Sequence, residues 1–298
     1  MYNVQLGISP INWINDDMND LGDEYPLETV LADMRDLGFV GTEMGRKYPK
    51  DPALLRPLLA TYRLVLAGAW KTVQFSSGWN PDEDFADYAR HIEFLRQMGA
   101  RYVVVCDGGG SLHWDARGPR QSVERHDEAA WQRLGEGLNK AGEYSRRFGI
   151  QVVYHAHFGT CVESPAEIDQ LMSVTDPELV SLLVDTGHIY AGGGDPASVI
   201  QTHANRVRYI HLKDVRRSVL DDVRSKGTLF IDAVRQGIFT TPGDGCIDFE
   251  RVFQALRGIG YQGWMILEAE QDPAKAEPVA YAARSKEFLQ SLIDADNP

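Results

Sequence analysis

Cysteine is scarce in this chain of 298 residues, which has three, Cys106, Cys161 and Cys246. Their number is odd and their spacing is not that of a thiolate metal motif, so a disulfide-stapled secreted fold is not expected. A reduced, cytoplasmic setting fits this usage best. The sequence opens without a basic segment followed by an apolar one, so we expect no secretory signal peptide.

Long hydrophobic runs and an excess of basic charge are also missing. No apolar stretch approaches the roughly 18 residues of a membrane span. The net charge is −13, which argues against nucleic acid as a partner, because phosphate backbones demand a basic surface. There is no linker, low-complexity tract or shift in composition, and 43% of the residues are hydrophobic. We therefore expect residues 1–298 to form a single domain.

Short apolar runs alternate with helical patterns from end to end. The runs predict eight strands, at Val4–Ile8, Phe39–Met44, Leu64–Ala69, Tyr102–Cys106, Ile150–His155, Leu179–Asp185, Val207–Leu212 and Trp264–Glu268. Between them lie helical patterns, the longest over residues 127–148 with Asp127 as its N-cap. This order predicts an α/β fold, a (β/α)8 TIM barrel of typical size.

An open doubly wound sheet is the alternative architecture. It would need about five or six strands, and the Gly-rich phosphate turn after its first strand is missing. One segment, at about 215–247, is longer than an ordinary βα loop and rich in Gly and Asp. We expect this long loop to cover the barrel mouth, as functional lids do.

Four of the predicted strands run into ionisable side chains. The residues at their ends are His155, Asp185, His211 and Glu268. A buried charge is costly unless it is paired or binds a metal, and active sites of such barrels lie at the C-terminal strand ends. Converging imidazole and carboxylate groups predict a metal centre that suits Mn²⁺, Co²⁺, Fe²⁺ or Zn²⁺ better than Ca²⁺ or Mg²⁺. Singly, Asp185 is also explained as a helix N-cap and His211 as a core histidine.

His155 and His157 are two residues apart, so both face the same way on one strand. Either of them suits a metal, and the other then suits a general base, because histidine titrates near neutral pH. Glu163 follows soon after and is better explained as a cap of the helix beginning at Ser164.

Further polar groups follow the predicted strands and would suit a polyhydroxylated ligand. Our candidates are Asn12, Trp13, Glu43, Lys71, His188, Lys213 and Asp214. Three other carboxylates, Asp16, Asp17 and Asp107, are equally well explained as solvated loop residues.

Several local motifs together resemble those of inosose dehydratases. They are Gly7-Ile8-Ser9-Pro10-Ile11-Asn12-Trp13, Gly41-Thr42-Glu43-Met44-Gly45, Tyr154-His155-Ala156-His157, Asp185-Thr186-Gly187-His188, His211-Leu212-Lys213-Asp214, Pro242-Gly243-Asp244-Gly245 and Glu268-Ala269-Glu270. The resemblance covers about residues 4 to 290. It lies within a superfamily of sugar isomerase and epimerase barrels that carries a Glu, Asp, His, Glu metal set. Asp185, His211 and Glu268 match the last three positions, whereas a histidine stands where the superfamily has its first Glu. The resemblance therefore implies His155 as the fourth ligand.

The same resemblance implies the dehydration of 2-keto-myo-inositol (scyllo-inosose) to a trihydroxycyclohexane-1,2-dione via an enediolate, in inositol catabolism, with Mn or Co as the metal. A metal would polarise the ketone as a Lewis acid, and His157 would remove the α-proton. Lys71, Glu43 or His188 would supply the acid for loss of the β-hydroxyl.

Three other functions compete with this one. A metal-dependent ketose isomerase or epimerase would use the same metal but return the proton. An abasic-site endonuclease would need a basic face, which the charge of −13 disfavours. A non-catalytic sugar-binding protein would bind its ligand without metal. Related barrels often form dimers or tetramers, so a homo-oligomer is an open alternative.

Overall fold

A closed barrel of parallel strands forms the centre of the computed structural model, which describes residues 3–112, 114–118 and 121–295. The strands of the barrel are β1 (Val4–Ile8), β2 (Gly41–Glu43), β3 (Val65–Val73), β4 (Tyr102–Asp107), β5 (Gln151–His155), β6 (Val180–Asp185), β7 (Val207–Leu212) and β10 (Gly263–Leu267). Around the barrel they follow the order β1-β10-β7-β6-β5-β4-β3-β2. The predicted TIM barrel is confirmed.

Helices follow the strands of the barrel along the chain, and α8 and α9 belong to the long segment after β7. They are α1 (Leu27–Asp36), α2 (Pro52–Thr61), α3 (Pro81–Met98), α4 (Glu128–Arg146), α5 (Pro165–Val174), α6 (Thr186–Ala191), α7 (Pro196–Thr202), α8 (Arg217–Lys226), α9 (Phe230–Arg235), α10 (Phe249–Gly258) and α11 (Pro278–Asp294). Asp127 caps α4 as predicted, accepting a hydrogen bond from the Ala130 amide. Gly99 ends α3 with a φ of 76°, a left-handed conformation that only glycine adopts without strain. In the described part of the chain, we find no helix with the length and apolarity that a bilayer crossing requires.

The barrel interior is filled by side chains, as in other barrels of this size. One buried cluster contains Ala67, Val104, Val153, Leu183, Tyr209, Trp264 and Ile266. A second and larger cluster fills the space between the strands and the helices. The interior cluster matters for function because it fixes which side chains of each strand point inward.

The long segment that follows β7 is folded rather than an irregular loop. It contains α8, α9 and a small antiparallel sheet of β8 (Asp214–Val215) and β9 (Phe239–Thr240). Leu220, Val223 and Phe230 are buried in a separate hydrophobic cluster within this segment. We call residues 215–247 the cap segment, since its Phe230 ring lies against functional side chains at the barrel mouth.

Strand β3 is longer than its sequence indicates. We predicted Leu64–Ala69, but the strand continues to Val73. Its last residues pair with β4, for example Lys71 with Val105. Polar side chains are tolerated there because the outer face of the strand end lies against α3, where Lys71 forms an ion pair with Asp87.

Candidate active site

Strand alternation aims four ionisable side chains into the barrel. Four members of the interior cluster lie on β5, β6, β7 and β10: Val153, Leu183, Tyr209 and Ile266. A residue two positions further along a strand faces the same side. In the same order, these residues are His155, Asp185, His211 and Glu268. Glu268 lies just past β10, and its amide still bonds to the Leu212 carbonyl.

These four side chains form a buried group that we call the inner cluster. One donor atom of each lies within 4.8 Å of the donor atoms of the other three. His211 Nδ1 lies 3.3 Å from Glu268 Oε2 and 3.6 Å from Asp185 Oδ2, which in turn lies 3.5 Å from His155 Nε2. The structure therefore brings together all four residues predicted as metal ligands.

The inner cluster has the features of a metal site rather than of a settled hydrogen-bond network. Asp185 Oδ2, His211 Nδ1 and His155 Nδ1 are buried and find no hydrogen-bond partner in the described part of the chain. Such orphaned buried atoms are rare in proteins because each is costly. Burial lowers the pKa of His155, which favours the neutral imidazole that metals bind. The donor set thus fits a divalent cation.

Asp185 also fills the alternative role that the sequence left open. Its Oδ1 accepts the His188 amide hydrogen at 2.8 Å and so caps α6. The carboxylate therefore uses one oxygen as a helix cap and keeps the other for the cluster. Burial opposes its ionisation, but the Lys213 ammonium outweighs burial and holds the pKa of Asp185 well below its usual range.

Glu43 orients the imidazole of His211. Its Oε1 lies 3.1 Å from His211 Nε2 and accepts a hydrogen bond from the Tyr209 hydroxyl at 2.9 Å. Burial opposes protonation of His211, but Glu43 and Glu268 outweigh it and hold its pKa well above the ordinary value. A metal-binding histidine usually has one ring nitrogen hydrogen-bonded to a carboxylate and the other facing the metal ligands. Nε2 and Nδ1 of His211 are arranged in this way.

A second group, which we call the outer cluster, lies next to the first. It consists of His157, His188 and Glu270, whose donor atoms also lie within 4.8 Å of one another. Lys213 lies between the two clusters, with Nζ 2.8 Å from Glu268 Oε1 and 2.8 Å from Glu270 Oε2. The chain therefore stacks two sets of ionisable groups at the barrel mouth.

The hydrogen bonds of His157 indicate which of its nitrogens is basic. Its Nδ1 lies 2.8 Å from the Phe158 carbonyl oxygen, which can only accept. In the neutral ring the proton therefore sits on Nδ1, and Nε2 carries the lone pair. Nε2 faces Glu270 Oε1 at 3.8 Å. Burial disfavours the charged form of Glu270, but Lys213 outweighs it and keeps the pKa of this carboxyl well below its usual range.

A pocket opens above the inner cluster. Its lining residues are Ser9, Ile11, Asp16, Asp17, Glu43, Met44, Trp70, Val104, Trp114, His155, His157, His211, Glu268 and Glu270. The space, open to solvent at its mouth, is about 610 Å³. It combines two indoles with carboxylates and imidazoles, which suits a small polyhydroxylated ring.

Aromatic residues and one aspartate close the sides of the pocket. The Trp114 ring lies 4.6 Å from that of His157 and 5.1 Å from that of Trp70, and Phe230 of the cap segment lies 4.9 Å from His157. Trp114 Nε1 donates to Asp17 Oδ1 at 3.2 Å. Burial, followed by the charge of Glu270, raises the pKa of Asp17 to about 6.

Four predicted site residues lie outside both the pocket and the two clusters. Lys71 points to the outer side of the barrel because β3 extends past it. Trp13 is buried in the main core, where Nε1 donates to Asp33 Oδ2 at 3.1 Å. Asn12 donates from its buried Nδ2 to the carbonyls of Ser9 and Leu267.

Asp214 is the fourth such residue, and its role is to hold the base of the cap segment. Its carboxylate accepts hydrogen bonds from the backbone amides of Val215, Gly243, Gly245 and Ile247. Four donors leave this carboxylate no free oxygen for a ligand. Lys213 and His188 lie beneath the pocket wall and contact residues that line it, namely Glu268, Glu270 and His157.

Sequence reasoning missed one residue that its own rule would have found. Glu270 stands two positions after Glu268, as His157 stands two after His155. Trp114 and Phe230 carry no comparable signal in the sequence. Trp114 lies in an irregular segment and Phe230 in the cap segment, and the two meet only in the folded chain.

A family model, the xylose isomerase-like TIM barrel, matches residues 31–292. Curated relatives named inosose dehydratase match nearly the whole chain. That of Geobacillus kaustophilus (strain HTA426) is 45% identical over 291 residues, covering 97% of this chain and 94% of the relative. That of Lacticaseibacillus casei is 42% identical over 292 residues, covering 98% of each.

The chain belongs to the inosose dehydratases of the xylose isomerase-like TIM barrel family. Solved structures share the fold at low identity. An L-ribulose 3-epimerase has a TM-score of 0.71 at 18% identity, covering 98% of this chain and 95% of that one. An IolI protein described with a bound zinc atom has a TM-score of 0.69 at 14% identity, covering 98% of each.

Proposed function

We propose that this chain is a hydro-lyase that converts 2-keto-myo-inositol (scyllo-inosose) to a trihydroxycyclohexane-1,2-dione and water in inositol catabolism, with a divalent metal. The observation that carries the proposal is the inner cluster at the floor of a pocket of about 610 Å³, which carboxylates, imidazoles and two indoles line. Inosose dehydratases 42–45% identical over nearly the full chain support the same substrate. Three free cysteines support the proposed cytoplasmic location.

His155, Asp185, His211 and Glu268 would hold the metal. A divalent ion bound there would supply Lewis acidity, polarising the ketone and acidifying the hydrogen on the neighbouring carbon. We propose Mn²⁺ or Co²⁺, because two imidazoles and two carboxylates suit these ions better than Ca²⁺ or Mg²⁺.

His157 is the proposed base. Its side chain lines the pocket, and its Nε2 carries the lone pair because Nδ1 bonds to the Phe158 carbonyl. Nε2 takes the α-proton from the carbon beside the ketone. The carboxylate of Glu270 then stabilises the imidazolium that forms.

Asp17 is the proposed acid for the loss of the β-hydroxyl group. Its pKa of about 6 keeps part of the population protonated near neutral pH, and it lines the pocket. Its proton joins the departing hydroxyl to form water, which leaves an enol of the dione. Asp17 suits this role better than Lys71, which lies outside the pocket, or Glu43, whose pKa is lowered by His211 against the effect of burial.

The proposal is tested by stripping the protein with a chelator, adding back Mn²⁺ or Co²⁺, and following the ultraviolet absorbance of the dione. Activity should vanish and return with the metal. His157→Ala should lower kcat by about 10²–10⁴-fold at intact metal content. The matched control is His203→Ala, a histidine paired with Asp169 on the outside of the barrel, and it should retain turnover.

Two results would count against the proposal. A metal-loaded, folded protein that leaves 2-keto-myo-inositol unchanged but interconverts ketoses would favour the isomerase or epimerase alternative. Full turnover by the His157→Ala variant would exclude this histidine as the base.

A further inference from the structure

The inner and outer clusters are related by strand alternation. His157, Lys213 and Glu270 each stand two residues after an inner-cluster member, namely His155, His211 and Glu268. Two members of the outer cluster, together with Lys213, therefore repeat the inner cluster along three chain segments, with one difference in chemistry. Where the inner cluster has the imidazole of His211, the repeat has the ammonium of Lys213.

Lys213 is surrounded by atoms that would otherwise be metal donors. Its Nζ lies 2.8 Å from Glu270 Oε2, 2.8 Å from His188 Nε2 and 3.4 Å from Asp185 Oδ2. A further carboxylate oxygen, Glu268 Oε1, also lies at 2.8 Å. Two of the three outer-cluster residues thus already have a cation at hydrogen-bond distance.

The side chain of Lys213 has no room to leave this position. It is fully buried, and its Nζ lies 4.8 Å from the Phe239 ring centroid. A Cβ built on Gly187 would come within 2.6 Å of Lys213 Cγ, so the aliphatic stem fills the space beside that glycine.

We propose that the Lys213 ammonium is the resident cation of the outer cluster, so that the chain binds one divalent ion, in the inner cluster, and His157 stays free of metal. A second ion held by all three outer-cluster residues would need His188 Nε2 at about 2.0–2.2 Å. The Lys213 Nζ already lies 2.8 Å from that nitrogen, and the like charge of the ammonium excludes the ion. The proposal rests on the inner cluster being the metal site of the proposed function.

Lys213 also prepares the inner cluster for its ion. It holds Glu268 by Oε1, which leaves Oε2 facing His211 Nδ1 at 3.3 Å. Removing the lysine therefore frees donors in both clusters at once.

The test is the number of metal ions per chain, measured by elemental analysis after saturation with Co²⁺ or Mn²⁺ and desalting. The wild-type chain should hold one ion. Lys213→Ala, which removes the charge and opens space, should hold two. Adding His157→Ala to Lys213→Ala should restore one.

Each result decides between the alternatives. Two ions in the wild-type chain, or one in a folded Lys213→Ala variant, would overturn the proposal. No ion in the wild-type chain would instead defeat the proposed metal site itself.

Should Lys213→Ala fail to fold, the affinity of His157→Ala for Co²⁺ decides the matter. Affinity equal to that of the wild type supports a metal-free outer cluster. Removing a residue that only hydrogen-bonds to a metal ligand lowers metal affinity by about 10–100-fold. A loss of about 100-fold or more in His157→Ala would therefore make His157 a ligand and overturn the proposal.

Discussion

Replacing Asp185 tests the double role of one carboxylate. Its Oδ1 caps α6 through the His188 amide, while Oδ2 faces His155 and Lys213. Asp185→Asn keeps the cap oxygen and replaces the metal-facing oxygen with an amide nitrogen. Asp185→Ala removes both. The pair of variants therefore separates the contribution of the cap from that of the metal ligand.

The magnitudes follow from the contacts. Losing an N-cap costs about 1 kcal/mol. In Asp185→Asn, an amide nitrogen replaces Oδ2, which lies 3.4 Å from Lys213 Nζ. Losing the attraction between that oxygen and the ammonium costs about 1 kcal/mol. Lys213 keeps Glu268 and Glu270 as partners in both variants. We expect the metal-free unfolding free energy to fall by about 1 kcal/mol for Asp185→Asn and about 2 kcal/mol for Asp185→Ala.

The metal contribution differs much more. A free ion at about 100 times its dissociation constant stabilises the wild-type protein by about 2.7 kcal/mol. For a chain of this size, this corresponds to a rise in Tm of about 5 °C. Neither variant should show the rise, because each lacks the orphaned Oδ2 that the ion needs.

The assay is thermal unfolding followed by circular dichroism, first in chelator and then with Mn²⁺ added back. Asp248→Asn is the matched control, since Asp248 caps α10 through the Arg251 amide far from the cluster, and it should keep the full rise. A rise in Asp185→Asn equal to that of the wild type would refute Asp185 as a ligand.

Three further predictions concern stability and the cap segment. Burial, followed by the charge of Lys71, lowers the pKa of His91 to about 4. As the pH falls, this histidine is therefore protonated in the unfolded state before it is protonated in the folded state. The wild type should therefore lose about 2 kcal/mol more than His91→Gln in urea titrations as pH falls from about 6.5 to 4. Phe230→Ala should lower the unfolding free energy by about 3 kcal/mol and raise KM, because a buried ring against His157 is lost. An unchanged KM would show that the cap segment does not contribute to substrate binding. Gly187→Ala should cost about 1–3 kcal/mol of stability, because the new Cβ would displace the Lys213 side chain. Gly258 is exposed and has open space at its Cβ, so Gly258→Ala should stabilise the protein by about 0.5 kcal/mol. Equal effects of the two variants in calorimetry would contradict the packing argument.

The barrel and its inner cluster could be predicted because they depend on local periodicity. Apolar runs mark buried parallel strands, and their polar ends share one face of any such barrel. His155, Asp185, His211 and Glu268 stand at those ends, so the spacing within each strand was enough to bring them together.

Other residues were misplaced where the boundary of an element decided their direction. Lys71 was expected after the end of β3, but the strand runs to Val73. Trp70 therefore lines the pocket, and Lys71 pairs with Asp87 outside it. Polar residues do not reveal how far a strand continues, because pairing with β4 and contact with α3 decide it.

The sequence by itself determined the barrel, the four strand ends that carry the inner cluster and the types of donor side chain, since each is encoded within a few consecutive residues. Only the tertiary structure decided that Trp114 and Phe230 flank His157, that Trp13 is buried in the core, and that Lys213 lies between two clusters. The physical reason is distance along the chain. These contacts join segments that meet only when the barrel closes, and burial then determines which charges must be paired.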